Sequence, residues 1–510
     1  MEKAAPSPTM SGSTLVLAGL VLAVSNFMVV LDTTIANVSV PHIAGGLGIS
    51  PTEGTWVITS YAVAEAICVP LTGWLARRFG EVRVFVAGII GFGLFSFLCG
   101  LAPTLGALIA FRVGQGLCGG PLMPISQTLL LRIFPKERHA QATGIWAMTT
   151  IVAPIFGPIL GGTISDNWGW NWIFFINVPI AIACAAAAVT LLRGAESKTE
   201  KSPVDGIGLS LLVLAVGALQ IMLDLGRDRD WFGSTFIVEL AIASFGGFAF
   251  LIAWELFDRH PIVDLKVFRH RGFTISVTAL AFTYGAFFAS LVVIPQWLQT
   301  SLGYTATWAG YATAWNGVAA VFLAPVAAIL SQKMDPRILV SGGILWLAIT
   351  SLTRVVWWTS GASFWTLAIP QLIQGAGMPF FFVPLTTLAL GAVEEDEVAS
   401  AAGLMNFLRT MSGAIGTAVG VTMWENGGQS ARDSLTGTLN GAGSTMATLQ
   451  AHGFGIEQSR QYVSQLVESQ ANAISTVNLF ELFAAVFVVA ATIIWLAPKP
   501  KHAVAAGGGH

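Results

Sequence analysis

Charge is what this sequence has least of. Only 10% of its 510 residues are Asp, Glu, Lys or Arg, and 54% are hydrophobic, whereas soluble domains carry roughly 25% charged residues. So few charges could not solvate a soluble domain of this size, and the chain reads as a polytopic membrane protein. The net charge is −2 and there is no basic stripe to hold phosphates, so no nucleic-acid partner is expected. Cysteine is scarce as well. Cys68, Cys99, Cys118 and Cys184 all fall inside apolar stretches, where free Cys usually serves as small buried filler, so neither a disulfide framework nor a thiolate metal site is implied. Walker A, HExxH, CxxC and nucleophile-elbow patterns are missing too. ATP-driven work and enzyme chemistry are therefore not expected, and neither a cofactor nor a metal is implied.

What is abundant is long apolar sequence. Runs of membrane-spanning length occupy about 14–40, 55–75, 84–102, 105–131, 140–164, 172–192, 206–226, 236–257, 274–297, 307–330, 338–357, 365–391, 402–424 and 476–497; they are called spans 1 to 14 below. The first follows a short polar tail with one Lys and no small-residue cleavage site, and reads as an uncleaved span rather than a signal peptide. With the N-terminus inside, cytoplasmic connections hold 18 of the 25 basic residues, and outer ones only Arg227, Arg229, Arg432 and Arg460. That bias places both termini in the cytoplasm. The acidic run Glu394-Glu395-Asp396-Glu397 carries little weight in this rule.

The chain repeats itself weakly. Residues 70–78, ending span 2, resemble 325–333, ending span 10, and 112–116 in span 4 resemble 371–375 in span 12. Both matches map spans 1–6 onto spans 9–14. The predicted organisation is an N-terminal six-helix half (1–192), an inserted two-helix linker (193–273), a C-terminal six-helix half (274–498) and a cytoplasmic tail (499–510). Two six-helix halves related by parallel repeats, with a central site, is a known transporter plan. The connection 425–475, outside and rich in Gly, Ser, Thr and Gln, is either a flexible loop or a docking surface. Its part from Ile456 to Ser475 has the spacing of an amphipathic helix, with Ile456, Tyr462, Val463, Leu466, Val467 and Ile474 as its apolar positions.

Ionisable residues inside spans are costly and mark function. Asp32 is predicted about 12 Å from the outer end of span 1, Glu65 roughly 15 Å into span 2 and Arg112 roughly 10 Å into span 4, at 1.5 Å per residue. A nearby Arg lowers a carboxylate's pKa while apolar burial raises it, so such a site could load and release a proton near neutral pH. The plain alternative is a fixed ion pair that orders the helices. Glu239, Glu255 and Glu481 are expected to snorkel to the interface.

In span 5, Pro154 and Pro158 predict a kink or an adaptable segment. Gly157 and Gly161, followed by Gly162, form a small-xxx-small face that is at least a packing notch. The connection with Gly73, Arg77, Arg78, Gly80 and Arg83 is a tight turn that could gate the cytoplasmic side or only anchor it. Candidate cavity-lining polar residues are Asn37, Gln115, Gln127, Asn177, Trp315, Asn316, Gln371, Gln374, Asn406 and Arg409. Each could equally be glue between helices.

Together these residues resemble the fourteen-helix drug:proton antiporter group of the major facilitator superfamily. Residues 31–41 are similar to its helix 1 signature, 73–83 to its loop between helices 2 and 3, 108–116 to its helix 4 motif and 153–162 to its antiporter motif. Residues 54–60, 172–179 and 304–310 resemble the EmrB type in particular. The resemblance implies an all-α major facilitator fold of 14 transmembrane helices (6 + 2 + 6). It also implies proton-driven export of hydrophobic or amphiphilic toxicants across the bacterial inner membrane, with the proton gradient as energy source. The partners it implies are membrane lipid, a periplasmic membrane-fusion adaptor (EmrA-type) and an outer-membrane channel (TolC-type). Asp32 would be the coupling carboxylate, Arg112 its tuning partner, and Pro154 to Gly162 the antiporter helix. Two positions depart from the pattern: Arg77 stands where the loop motif usually has Asp, and Glu65 where an uncharged polar residue is usual. A proton-coupled nutrient or metabolite symporter of the same fold is the alternative.

Overall fold

The computed structural model describes residues 12–135, 138–199, 205–258, 261–395, 397–438 and 442–499, and every regular element among them is helical. The first part of the chain forms α1 (Ser13–Leu47), α2 (Pro51–Gly54), α3 (Trp56–Cys68), α4 (Thr72–Phe79), α5 (Glu81–Gly100), α6 (Leu105–Gly119), α7 (Leu122–Ile133), α8 (His139–Trp168), α9 (Trp172–Phe175) and α10 (Asn177–Leu191). Two helices follow, α11 (Gly206–Leu225) and α12 (Thr235–Phe257). The remainder is α13 (Arg271–Ser301), α14 (Ala306–Lys333), α15 (Pro336–Trp357), α16 (Phe364–Leu390), α17 (Val398–Thr438), α18 (Ala442–Ala451) and α19 (Ile456–Ile493). Asp396 of the acidic connection and residues 500–510 of the tail lie outside the described residues.

Among the described residues, ten helices are long and apolar enough to cross a membrane, or eleven if the bent pair α3–α4 is one span. This is a multi-pass membrane protein. The bend is 59° and follows Pro70, which has no N–H to continue the ladder; Thr72 Oγ1 instead donates to the Val69 carbonyl at 2.6 Å. Span 4 is likewise interrupted, between α6 and α7, at Gly120-Pro121. α1 runs past Pro41 to a left-handed Gly48, whose N–H bonds back to the Ala44 and Gly45 carbonyls. α8 continues unbroken through positions 154 and 158, so the expected kink is not needed to form the helix.

The packing is paired. α1 lies on α8 and α10, α6 on α3 and α5, and α5 on α10. The same pattern recurs later, with α13 on α17 and α19, α16 on α14 and α15, and α15 on α19. α11 packs on α12 and touches α3 and α17. The two groups meet where α8 crosses α14 and where α4 and α7 meet α17.

In the connection 425–475 the amphipathic helix expected from Ile456 forms, and residues 425–438 are helical as well. α17 extends to Thr438, and α19 begins at Ile456, well ahead of the apolar part of span 14. Tertiary packing overrides weak helix propensity here. Trp424 Nε1 donates to Thr476 Oγ1 at 2.8 Å, and Ser475 Oγ donates to the Trp424 carbonyl at 2.5 Å. A Cβ on Gly427 would sit 2.5 Å from Ser475 Oγ, so this glycine is what lets the two helices approach. The apolar positions divide: Ile456, Tyr462 and Leu466 are exposed, while Val463, Val467 and Ile474 are half-buried.

Candidate functional site

α1 carries buried polar residues at Ser25, Asn26, Asp32 and Ser39, and each needs a partner in a medium without water. Asn26 Nδ2 donates to Thr149 and Thr150 on α8, at 2.7 and 3.0 Å. Ser165 Oγ, also on α8, donates to Ser39 Oγ at 2.9 Å. Between these two anchors, Asp32 turns toward α6 and α10.

The Asp32 carboxylate is fully enclosed and takes three donors. Arg112 Nη1 lies 2.6 Å from Oδ2, and Oδ1 accepts from Asn177 Nδ2 at 2.7 Å and Gln115 Nε2 at 3.1 Å. Arg112 is equally enclosed, with no exposed surface. Its Nε donates to the Val57 carbonyl at 3.0 Å, its Nη1 also to Gln115 Oε1 at 2.8 Å, and its guanidinium lies 4.2 Å from the Tyr61 ring centre. Asn177 Nδ2 is braced by Ser96 Oγ at 3.1 Å. A buried pair of this kind costs about 3–5 kcal/mol to break from one side, because the remaining charge is stranded. Protonating Asp32 strands Arg112 in the same way. Asp32 thus ties α1 to α6 through Arg112 and Gln115 and to α10 through Asn177.

Glu65 does not join this network. It is half-buried on α3, and among the described residues no hydrogen bond or ion pair reaches its carboxylate. Arg112 and Arg409 both act on it electrostatically. Arg409 on α17 is 5% exposed. Its guanidinium lies 5.7 Å from the Tyr284 ring and 5.8 Å from the Trp146 ring, its Nη2 donates to Met123 Sδ, and its Nη1 has no partner. One turn away, Asn406 Nδ2 donates to Gln127 Oε1 at 3.0 Å, joining α17 to α7.

The other predicted cavity residues go elsewhere. Gln371 and Gln374 on α16 point their oxygens at Arg354 on α15. Asn316 is buried with neither side-chain atom partnered. Trp315 is half-buried, its ring 5.7 Å from that of Trp365. Asn37 is exposed. Charge position alone could not foretell this sorting, since it depends on helix rotation. Glu255 is also not where it was expected: it is 1% exposed rather than snorkelling, held near the backbone N–H groups of Ile262 and Val263. Glu239 and Glu481 are exposed.

In α8, Gly157 and Gly161 are the notch into which α1 packs. A Cβ on Gly161 would meet the Ile35 carbonyl at 3.0 Å, and one on Gly157 would run into the Thr34 side chain. Gly162 has open space beside it. The side chains of Pro154 and Pro158 lie outside the described residues.

The Gly73–Arg83 turn closes one end of the molecule. Arg77 Nη1 donates to Ser400 Oγ on α17 at 2.7 Å, and a Cβ on Gly73 would lie 2.9 Å from Ser400 Cα. Arg78 stacks on Trp74 at 5.5 Å. Gly80 has φ 94°, a conformation other residues rarely adopt. Glu196 lies under it and accepts the N–H groups of Val82 and Arg83 at 3.0 and 3.2 Å; Arg83 itself is exposed, 3.8 Å from that carboxylate. Ser400 and Glu196 were not foreseen. The only sequence signals were a Ser just before span 13 and an acid shortly after span 6. At the same end Trp146 stacks on Phe382 at 6.2 Å, and Gly144 lies against Ala328.

Comparison with known proteins identifies the family. The family model described as Major Facilitator Superfamily matches residues 22–417. Multidrug export protein EmrB of Escherichia coli (strain K12) is 44% identical over 504 residues, covering 98% of each chain. Fatty acid resistance protein FarB of Neisseria gonorrhoeae is 41% identical over 518 residues, covering 99% of each. Among solved structures, the proton:xylose symporter XylE shares the fold at a TM-score of 0.59, with 14% identity and 96% of each chain covered. The chain belongs to the Major Facilitator Superfamily and, within it, to the EmrB-type group.

Proposed function

We propose that this protein is a proton-coupled multidrug exporter of the bacterial inner membrane, exchanging external protons for hydrophobic or amphiphilic molecules from inside. The full-length likeness to EmrB proteins supports export. The observation that carries the coupling mechanism is the enclosed Asp32–Arg112 pair at 2.6 Å. A proton reaching Asp32 cancels its charge, frees Arg112 and loosens α1 from α6 and α10. Loss of the proton restores the pair. Export follows if substrate and proton favour different access states, since a ligand shifts an equilibrium only through differential affinity.

In this reading the chain crosses the membrane fourteen times, as six plus two plus six spans, with both termini cytoplasmic. The halves are residues 1–192 and 274–498, with 193–273 inserted between them. The Arg77–Ser400 contact is then a cytoplasmic latch, and the cavity opens outward while it holds. Glu65, within electrostatic reach of Arg112 and Arg409 and with no bonded partner among the described residues, is a second proton carrier or the counter-charge for cationic substrates. Helices 425–438 and 456–475 stand outside the membrane and expose Ile456, Tyr462 and Leu466 to a periplasmic adaptor, itself joined to an outer-membrane channel. Removing residues 430–470 should abolish crosslinking to such an adaptor without unfolding the membrane part; retained crosslinking would refute that docking role.

The test of the central reading is substrate movement in proteoliposomes under an imposed pH gradient, comparing wild type, Asp32→Asn and Glu65→Gln. Antiport lost in Asp32→Asn and kept in Glu65→Gln assigns coupling to Asp32. Accumulation in the same direction as protons would instead establish the symporter.

A further inference from the structure

The polar cluster around Arg354 is the counterpart of the Asp32 site in the second group of helices, with one group missing. Gln371 and Gln374 occupy the positions on α16 that Arg112 and Gln115 occupy in span 4. The cation has moved to the neighbouring helix: Arg354 on α15 is 1% exposed, with Nη2 donating to both glutamine oxygens. Among the described residues, no carboxylate lies within ion-pair distance of it, unlike Arg112. Its guanidinium faces neutral oxygens and the rings of Phe480 and Trp358, at 4.8 and 5.3 Å, so its charge has no ionic partner.

The unmatched atoms around it are mostly donors. Arg354 Nε, Gln371 Nε2, Asn316 Nδ2 and Trp297 Nε1 are all buried without an acceptor. Two of them belong to the hydrogen-bonded Arg354–Gln371 pair, and the other two are on residues packed against its neighbours. Trp297 stacks at 5.2 Å on Trp358, whose ring is 5.3 Å from the Arg354 guanidinium, and Asn316 abuts Gly375, one turn along from Gln371. Buried donors ordinarily find acceptors. An unpaired cation with its own Nε–H orphaned, Gln371 Nε2 orphaned beside it and two further orphaned donors on packed neighbours define the missing partner as a single negative charge with acceptor capacity on several sides.

We infer that Arg354 anchors an anion site within the second helix group, taking a carboxylate or a halide ion. Both offer what the cluster lacks, and the guanidinium fork suits a carboxylate especially. A halide would serve as a structural counter-ion; the carboxylate of an amphiphile would make this a substrate subsite. The site does not depend on the direction of transport.

The test is thermal unfolding of the purified full-length protein, titrated with sodium chloride, sodium acetate or sodium laurate. A sodium salt of a bulky sulfonate holds ionic strength constant. A saturable rise in midpoint is expected with at least one of the three probes, and it should vanish in Arg354→Gln. Arg354→Lys keeps the charge but loses the fork, and should raise the half-saturating concentration about tenfold. Saturation by chloride and acetate alike indicates a counter-ion site. Saturation by laurate alone, with Arg354→Gln losing laurate efflux while retaining that of a cationic compound, indicates a substrate subsite. A wild-type midpoint indifferent to all three anions overturns the inference whatever the variants do. So does an equal anion response in Arg354→Gln.

Discussion

Asp32→Asn removes one charge while leaving the side-chain volume almost unchanged, so its consequences can be worked from the geometry. Three donors converge on two oxygens: Arg112 on Oδ2 at 2.6 Å, and Asn177 and Gln115 on Oδ1 at 2.7 and 3.1 Å. Asparagine keeps one oxygen, so whichever way it turns, its amide N–H₂ faces at least one donor. If the oxygen faces Arg112, Asn177 can flip and offer its unpartnered Oδ1, but Ser96 then loses its donor. A bond to a charged group is worth about 1.5–3 kcal/mol, and stranding the partner brings the cost to about 3–5 kcal/mol. Arg112 still has Gln115 Oε1, the Val57 carbonyl and the Tyr61 ring, which favours the lower end. The double variant Asp32→Asn/Arg112→Gln should therefore be more stable than the sum of the single losses predicts. Unfolding of the purified protein measures the cycle. Substrate counterflow in proteoliposomes should persist in Asp32→Asn while pH-gradient-driven movement is lost. Losses that add within about 0.5 kcal/mol would refute the pair, and undiminished gradient-driven movement would refute its role in coupling.

Three further outcomes are expected. Gly161→Val forces α1 off α8 at the Ile35 carbonyl, 3.0 Å from the added Cβ; overpacking costs about 1–3 kcal/mol and should appear as a lowered unfolding midpoint with transport lost, whereas Gly162→Val, beside open space, should fold normally. Arg77→Ala or Ser400→Ala removes the 2.7 Å bond and should raise thiol labelling of a cysteine placed at Ala328, which lies against Gly144; unchanged labelling would show that the bond holds nothing shut. Arg337 hydrogen-bonds Asp335 at the start of α15 and holds its carboxyl below the usual range. A depressed folded-state pKa gives stability that is present above the unfolded value of about 3.9 and lost as pH falls through the folded value. Asp335→Asn should therefore lower stability equally at pH 8 and pH 5.5, by about 0.5–1 kcal/mol, and the deficit should shrink as the pH falls below about 3.9.

Sequence alone marked the apolar segments, ten or eleven of which are, among the described residues, helices long and apolar enough to cross a membrane, because hydrocarbon selects by composition and composition is one-dimensional. Asp32 and Arg112 stood out for the same reason: an ionised group in an apolar run has no inexpensive explanation other than a partner. The notch at Gly157 and Gly161 was legible because four-residue spacing puts both on one helix face. The repeat at 112–116 and 371–375 was visible too, and the paired packing of the two helix groups follows the same mapping.

Only the tertiary structure decided who faces whom. Gln115 and Asn177 join Asp32, while Gln371 and Gln374 turn to Arg354; as letters, the four are alike. Contact across helices depends on rotation about each axis and on sliding along it, and a hydrophobic pattern that is apolar on nearly every side constrains neither. The breaks after Pro70 and at Gly120-Pro121 escaped notice because apolar composition continues through them. The extension of α17 beyond Trp424 was hidden because its polar composition resembles a loop, whereas the helix from Ile456 was legible in its amphipathic spacing. Ser400, which accepts from Arg77, and Glu196, which accepts the Val82 and Arg83 N–H groups, are polar side chains that acquire partners only from what the fold brings beside them.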